Sequence, residues 1–475
     1  MEKLFKLKQN GTTVRTELVA GLTTFMTMAY IIALNPNLLT GFAVGTPLWN
    51  AVFVATCLAS FIGTACLAFA ANKPFAMAPG MGLNSFFASV AASMAGIAGV
   101  SYLEGFQAAL VIILVEGIIF LLLSLLNIRE KIVHAIPLGI RIGVAPAIGL
   151  MLMNIGLGSN AGVYNADGNP FYVMKDFFGA LTAGSIKEQL GDAWPTMVLT
   201  VATMFIGLFV IIALAHRKVK GSVLIGMLVA SAINWAGQAI FLKTDPFANL
   251  KGASWVPPMK DMVENTFFKF NFGVLADIGW ITVITIIITF CIIDMFDTIG
   301  TLVGTATRAG MIDDKGDMPQ MKQALISDAV GTVVGSATGT STVTTFIESA
   351  AGVEEGGRTG LTALTTAVLF LLALFLSPIA AIIPPAATSA ALIYVGILML
   401  AGLSKIDFSD MTQTVPVALM LLTMPVSGSI GHGIGLGLIS YTVIMLFTGK
   451  GKKVPVLTYV LSVIFLVKFF LAVKI

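Results

Sequence analysis

Apolar stretches of about 20 residues, the length a helix needs to cross the hydrocarbon core of a bilayer, recur from Leu18 nearly to the last residue. In hydrocarbon every backbone N–H and C=O must be paired within the protein, so stretches of this length are helices. The predicted spans are 18–35, 50–71, 75–97, 105–127, 138–157, 195–215 and 221–242, followed by 276–303, 321–338, 341–354, 360–382, 387–403, 414–427 and 430–448. A last apolar stretch, 454–473, is assigned to a helix lying along the membrane surface. Of the 475 residues 57% are hydrophobic and 11% charged, against about 25% charged in a soluble domain. So few polar residues cannot clothe several soluble domains. A soluble enzyme, a nucleic-acid binder, a fibrous protein and a disordered chain are excluded, and an all-α polytopic membrane protein is predicted.

The charges that remain orient the chain. The N-terminal segment carries Lys3, Lys6, Lys8 and Arg15 and reads as the lead-in to a retained first helix rather than a cleaved signal. Four further basic segments are Asn127–Arg141, His216–Lys220, Arg308–Lys322 and Gly449–Lys453. With a cytoplasmic N-terminus and fourteen spans all five fall inside, and the longer loops 158–194 and 243–275 fall outside. A further crossing at 454–473 would export the C-terminus, hence its assignment to the surface. The formal net charge of +3 says little about partners. Cys57, Cys66 and Cys291 all sit in apolar stretches, so no disulfide framework is expected.

The two series of seven spans carry matching marks. Gly63-Thr64 precedes the third span as Gly331-Thr332 precedes the tenth. Ile136-Pro137 opens the fifth and is followed by Gly149, and Ile383-Pro384 opens the twelfth and is followed at the same spacing by Gly396. Seven is odd, so a second copy must be inserted upside down. Inverted repeats of this kind are typical of secondary transporters, whose sites lie near the midplane where broken helices meet.

Three segments violate the rule that spans avoid polar residues. In Phe75–Phe87, Pro79, Gly80 and Gly82 interrupt the helix; Asn84 offers hydrogen bonds, and Phe86 or Phe87 a ring to stack on a planar solute. In Ile292–Thr301, Asp294 and Asp297 are three residues apart, on nearly one helix face, behind a long apolar run. An acid at membrane depth is a functional-site hypothesis by default. In Gly339–Gly360 the run Thr340–Phe346 is β-branched and polar, and suits a short extended stretch before a helix starting near Glu348. The repeat pairing places Gly80 opposite Glu348, so the two broken segments meet at the centre. Glu116, Asp328 and His432 read as interhelical or packing residues, and Glu354, Glu355 and Arg358 as a loop. No metal-ligand spacing, phosphate-binding glycine loop or activated nucleophile is present. Buried acids, an amide, hydroxyls and phenylalanines around paired broken segments suit a neutral, planar, hydrogen-bonding solute. A partly desolvated carboxylate can also carry a proton. Residue chemistry alone leaves a nucleobase, an amide and an ion open.

Four motifs extend the reading: Thr16–Ile31 (TELVAGLTTFMTMAYI), Ala78–Asn84 (APGMGLN), Phe296–Leu302 (FDTIGTL) and the stretch from Glu348-Ser-Ala-Ala-Gly-Val to Gly356-Gly-Arg-Thr-Gly-Leu361. With them the chain resembles, over nearly its whole length, the nucleobase–cation symporter-2 family in its AzgA-like adenine/guanine/hypoxanthine permease branch. The resemblance implies fourteen spans as two inverted seven-helix repeats, with short strands in segments 3 and 10. It implies a core domain from 1–127 and 276–383, a gate domain from 128–275 and 384–448, and a C-terminal helix in 449–475. By motif position the substrate site comprises Gly80, Asn84, Phe86, Asp294, Asp297, Phe346, Glu348 and Ser349. Asp297 is the principal candidate for proton coupling, with Asp294 and Glu348 beside it and Thr298 or Thr301 in support. Ser349 differs from the asparagine of uracil and xanthine relatives and Thr301 from the histidine of uracil carriers, which argues against a pyrimidine or urate solute.

The resulting expectation is a non-enzymatic, proton-coupled importer of hypoxanthine, guanine and adenine in the cell membrane (plasma or inner), working by alternating access. It needs no cofactor beyond the coupling proton and no metal. Its partners are a purine nucleobase and the lipid bilayer, with homodimerisation open and no nucleic acid. The alternative is an anion exchanger or channel on the same fold.

Overall fold

The computed structural model of the chain describes residues 2–41, 43–126, 136–160, 191, 194–251, 253–312 and 318–471. The predicted basic loop with Arg129 and Lys131, nearly all of 161–193, and residues 313–317 lie outside these. The first half contains α1 (Glu2–Phe5), α2 (Val14–Met28), α3 (Ile31–Leu39), α4 (Pro47–Ala70), β1 (Met77–Pro79), α5 (Met81–Ala98), α6 (Tyr102–Leu125), α7 (Leu138–Ile155), α8 (Trp194–His216) and α9 (Ser222–Gly237). The second contains α10 (Met259–Asn265), α11 (Phe272–Ile278), α12 (Trp280–Arg308), α13 (Met321–Thr338), β2 (Val343–Thr345), α14 (Ser349–Glu354), α15 (Gly360–Ala373), α16 (Ser377–Ala381), α17 (Pro385–Met399), α18 (Met411–Ser427), α19 (Ile430–Phe447) and α20 (Val456–Leu471).

Among the described residues, 11 helical segments are long and apolar enough to cross a membrane, and α18 and α20 are shorter apolar helices. Polar caps set many of the boundaries. Thr13 accepts from the Thr16 amide, so the first span begins at Val14, earlier than its apolar run, and reaches Leu39 with an interruption at Ala29–Tyr30. Thr46 with Pro47 starts α4, and a reciprocal Ser101–Glu104 capping box starts α6. The predicted span 276–303 is divided: Gly279, at φ +85°, separates α11 from α12. The helices sort into two packed groups. One has α2, α4, α6, α13 and α15 against each other, and the other has α7, α8, α9, α17 and α18.

The inverted repeat is visible at residue level. β1 and β2 pair antiparallel, with Met77 opposite Thr345, Ala78 opposite Thr344 and Pro79 opposite Val343. Extended backbone at membrane depth is tolerated here because its polar groups are paired within the protein. Thr64 brackets the first residue of β1, donating to the Met77 carbonyl (3.0 Å) and accepting from its amide (2.8 Å). Thr332 brackets the first residue of β2 in the same way, at 3.2 and 3.3 Å from Val343. The paired glycines touch their own mates. A methyl group on Gly63 would stand 3.4 Å from Gly331 Cα, and one on Gly331 3.4 Å from Gly63 Cα. Methyls on Gly149 and Gly396 would stand 2.6 and 2.5 Å from each other's carbonyl oxygens. Residues exchanged by an internal two-fold meet only on its axis, so both glycine pairs lie along it.

α20 runs antiparallel along α19. Tyr459 donates to the Gly451 carbonyl (3.0 Å), Ser462 contacts the Thr442 hydroxyl (2.8 Å) and Leu438 carbonyl (3.1 Å), and Phe469 meets the His432 ring at 5.6 Å. Thr458, Leu461, Ser462 and Phe465 form its buried stripe at helical spacing. Val456, Val460, Val463 and Phe470 are exposed. The helix thus carries an apolar outer face beside its neighbour.

Candidate functional site

The strand pair delivers two helix starts to the centre of the molecule. β1 runs through Gly80 into α5, and β2 runs through Phe346–Glu348 into α14. The Gly80 amide donates to the Thr342 carbonyl (3.1 Å) and the Phe346 amide to the Ala76 carbonyl (2.9 Å), extending the ladder at each end. Gly80 leaves room that no other residue would. A methyl there would stand 2.6 Å from Thr344 Cγ2 and 3.2 Å from Asp297 Oδ2. The Asp297 carboxylate thus lies over the start of α5, whose free amides and dipole favour negative charge.

Asp297 and Glu348 are both partly accessible, on opposite arms of this arrangement. The Tyr30 hydroxyl donates to Glu348 Oε1 at 2.6 Å, and Thr27 donates to the Glu348 carbonyl at 3.4 Å. Tyr30 itself is buried. It stands at the interruption between α2 and α3, where the chain bends toward the start of α14.

The other predicted site residues form the support. Asn84 is fully buried, donating to the Pro79 carbonyl (3.2 Å) and accepting from Ser341, so it ties α5 to the run before β2. Ser349 is buried and accepts from the Ala76 amide at 2.9 Å. Phe346 is buried beside it. Phe86 packs its ring 4.5 Å from that of Phe290, and its Cε2 lies 3.8 Å from a methyl placed on Gly431, between α12 and α19. Asp294 is fully buried behind Asp297, one helical turn before Thr298, whose hydroxyl lies 2.8 Å from Asp294 Oδ1, 2.9 Å from Asp328 Oδ1 and 2.9 Å from Thr344 Oγ1. Thr301 is half-buried, one turn beyond Asp297.

Two further buried links hold the strands. Thr342 donates to Glu116 Oε2 of α6 at 2.7 Å, and Asn35 donates to Thr56 (2.7 Å) and Thr340 (2.9 Å). Glu116 and Asp328 therefore meet hydroxyls, as embedded acids in helix interfaces were expected to. The Arg358 loop is organised by a carboxylate that the sequence reading passed over. Buried Glu17 accepts from the amides of Arg358 (2.9 Å), Thr359 (3.2 Å) and Thr362 (3.1 Å) and from the hydroxyls of Thr359 (2.8 Å) and Thr362 (2.7 Å). Tyr30 was also missed as a site residue. Its signal was present: a hydroxyl-bearing ring late in a long apolar span, inside a motif already singled out. Among the described residues no cluster of His, Cys, Asp or Glu could hold a metal. A cavity of about 500 Å³ lined by Trp235, Gln238, Asp245 and Ile382 lies at the ends of α3, α9 and α16, apart from these acids.

The arrangement can accept hydrogen bonds from a small solute on two carboxylates while keeping the remaining acids out of contact with it. The comparisons with known proteins concern the chain as a whole. A model of the Xan_ur_permease family, described as a permease family, matches residues 15–427. The chain is 40% identical to a putative permease, MJ0326, of Methanocaldococcus jannaschii, over 99% of this chain and 98% of that protein. It is 37% identical to the adenine permease AdeP of Escherichia coli K12, over 98% of this chain and 95% of that one. It is 36% identical to the guanine/hypoxanthine permease PbuO of Bacillus subtilis 168, over 98% of this chain and 100% of that one. Among solved structures, the transmembrane domain of the cyanobacterial bicarbonate transporter BicA superposes with a TM-score of 0.62 at 13% identity, covering 88% of this chain and 97% of that domain. Murine Slc26a9 in its inward-facing state superposes with a TM-score of 0.60 at 13% identity, over 91% of this chain and 68% of that one. At such identities the likeness concerns the fold alone.

Proposed function

Because the chain belongs to the nucleobase–cation symporter-2 permease family, we propose that it imports purine nucleobases (hypoxanthine, guanine and adenine) together with protons across the cell membrane. Permeases of this family are transporters and not enzymes. The observation that carries the reading is the pair of partly accessible acids, Asp297 and Glu348, at the paired helix starts. A purine presents ring N–H donors on its edge, and a carboxylate accepts them in charge-assisted bonds. Asp297 and Glu348 are the acceptors in this proposal. Gly80 and Phe346 give the site its floor, and Asn84 and Ser349 hold the strands that carry it. Phe86 supplies the aromatic wall toward α12.

The same feature weighs against an anion exchanger. In an anion site the amides of a helix start are left to the ligand. Here the start of α5 already faces the chain's own Asp297 carboxylate, so an incoming anion would meet like charge. A neutral solute with N–H donors meets complementary groups.

Coupling requires an acid that is protonated on one side of the membrane and deprotonated on the other, and Asp297, Asp294 and Glu348 are the family-based candidates. Alternating access follows from movement of the group built on α2, α4, α6, α13 and α15 against the group built on α7, α8, α9, α17 and α18. The test is uptake of radiolabelled hypoxanthine in a cell lacking purine uptake, with a panel of competing nucleobases, with and without sodium. Saturable uptake competed by adenine or guanine, independent of sodium and abolished by an uncoupler, supports the proposal. Uptake indifferent to purines, or ion currents without purine competition, would oppose it.

A further inference from the structure

Residues 259–271 cross the end of the molecule at which α4, α6 and α12 begin and α13 stops, and they are bonded to three of these helices. Asn50, in the first turn of α4, donates to Asp261 Oδ2 of α10 (2.7 Å). Gln107 of α6 donates to the Asn265 carbonyl (2.8 Å), and its own carbonyl accepts from the Asn271 amide (3.4 Å). At the end of α13 the Ala337 carbonyl accepts from the Phe268 amide (2.8 Å) and the Thr338 carbonyl from the Thr266 hydroxyl (2.7 Å). Thr266 is fully buried, and a side chain on Gly339 would collide with it. Gly339, at φ +117°, turns the chain into the run ahead of β2. The inner side of 259–271 is thus fixed, and it fixes the turn that leads to the strand pair.

The outer side is apolar where an aqueous loop would be polar. Trp255, Val263, Phe268 and Phe272 are each more than half exposed. A helix advances about 100° per residue, which divides α10 into three stripes. Asp261, Met262 and Asn265 face the protein, and Lys260 and Glu264 form an exposed ion pair (3.7 Å). Met259 and Val263 make an exposed apolar edge between them. Such stripes suit a helix lying in a membrane interface, with one side on protein, one in lipid and one in water. Phe272 opens α11, and beyond Gly279 the exposed apolar side chains continue in Trp280, Ile281 and Ile284, at the start of the spanning helix α12. The patch therefore leads along the chain into a lipid-facing surface. Tryptophan and phenylalanine beside lysine at the end of a span are the composition of an interfacial belt. The centre of a protein–protein interface is poor in charge, whereas Lys260, Glu264 and Lys269 are spaced through this patch.

We propose that residues 255–272 form a strap seated in the bilayer, with Trp255, Val263, Phe268 and Phe272 at the boundary between headgroups and acyl chains of the leaflet in which α12 begins. The occupant of the patch is phospholipid, held by apolar contact and not by a particular headgroup. The charge pattern assigns 243–275 to a loop on one side of the membrane; the strap keeps that side and rests on lipid rather than in water. Its inner side holds Ala337, Thr338 and Gly339. Lipid packing against the strap therefore bears on the turn ahead of β2.

The test places nitroxide labels on the purified full chain in phospholipid vesicles, in a background lacking Cys57, Cys66 and Cys291. Single variants Val263→Cys, Phe268→Cys and Phe272→Cys are compared with Lys260→Cys, which shares a helix with the first. Labels at the three apolar positions are expected to collide more with oxygen, which partitions into lipid, than with a water-soluble nickel chelate. Lys260→Cys should show the reverse order. Nickel collisions in excess at Phe268→Cys and Phe272→Cys, as at Lys260→Cys, would put the patch in water and overturn the proposal. So would spectral broadening at these sites that disappears on dilution with unlabelled protein, which would make a second copy the occupant. A second measurement keeps the cysteines in place. In vesicles of lipid brominated high on its acyl chains, the tryptophan emission lost in Trp255→Phe is expected to be emission that the bromines quench. Loss of emission that the bromines leave untouched would overturn the proposal. Neither measurement needs transport, so both decide the seat of the strap whatever solute the protein carries.

Discussion

Tyr30 donates its hydroxyl to Glu348 Oε1 at 2.6 Å, joining the interruption in the first span to the start of the broken tenth segment. In the repeat pairing that sets Gly63 on Gly331, Glu348 is the counterpart of Gly80, over which Asp297 lies. Each broken segment is thus met at equivalent positions by a side chain from the first helix of the other repeat. One contact orients an acid by a hydroxyl, and the other leaves an acid facing the start of α5.

Tyr30→Phe removes that donor and leaves the ring in place. Hydrogen bonds to charged groups contribute about 1.5–3 kcal/mol, so purine affinity should fall by roughly tenfold or more while the amount of protein in the membrane stays unchanged. Competition of hypoxanthine uptake by unlabelled purine measures it. An unchanged half-saturation concentration would show that the bond does not orient Glu348.

Gly80→Ala should abolish uptake, because its methyl would lie 2.6 Å from Thr344 Cγ2 and overpacking costs about 1–3 kcal/mol. Thr344→Ser deletes that methyl and keeps the hydroxyl. The double variant Gly80→Ala/Thr344→Ser should therefore recover part of the uptake lost in Gly80→Ala, a result read in the same uptake assay.

Glu17→Gln replaces an acceptor of five hydrogen bonds by an amide with two hydrogens of its own. The expected loss is about 3 kcal/mol of stability, seen as a lower melting temperature in detergent, with the order of preference among purines unchanged. A changed order would mean that Glu17 acts on the solute.

The path of α20 along α19 predicts that its end lies across the membrane from Lys450–Lys453. In a background lacking Cys57, Cys66 and Cys291, Phe470→Cys should react from outside intact cells with a membrane-impermeant thiol reagent, and Lys452→Cys should react only after permeabilisation. Reaction of both only after permeabilisation would place α20 along the cytoplasmic membrane surface.

Much of this architecture was legible in the sequence because membrane burial leaves a plain record. Apolar length marks the spans, and Met321–Thr338 coincides with its prediction. Gly63, Gly331, Gly149 and Gly396 marked the repeat because close approach of two backbones admits no side chain. The acids at Asp294, Asp297 and Glu348 stood out against their surroundings. Their division of labour did not. Asp294 and Asp297 are three residues apart and look equivalent on a helix, yet one is sealed against Thr298 and the other faces the site. That difference depends on what packs opposite, a tertiary fact. Tyr30 and Glu17 were likewise hidden because their partners lie more than 300 positions away. The packing of α20 on α19 was hidden too, because an apolar helix of this length suits either a surface or a bundle until its neighbour is known.

The most direct test of the account is the accumulation of labelled hypoxanthine by the purified protein in sealed vesicles, with recovery of the purine chemically unchanged. Accumulation above the external concentration when the outside is made acidic, collapsing on addition of an uncoupler and indifferent to sodium, is the predicted result. Equilibration without accumulation under the same gradient, or accumulation that follows sodium instead, would contradict it.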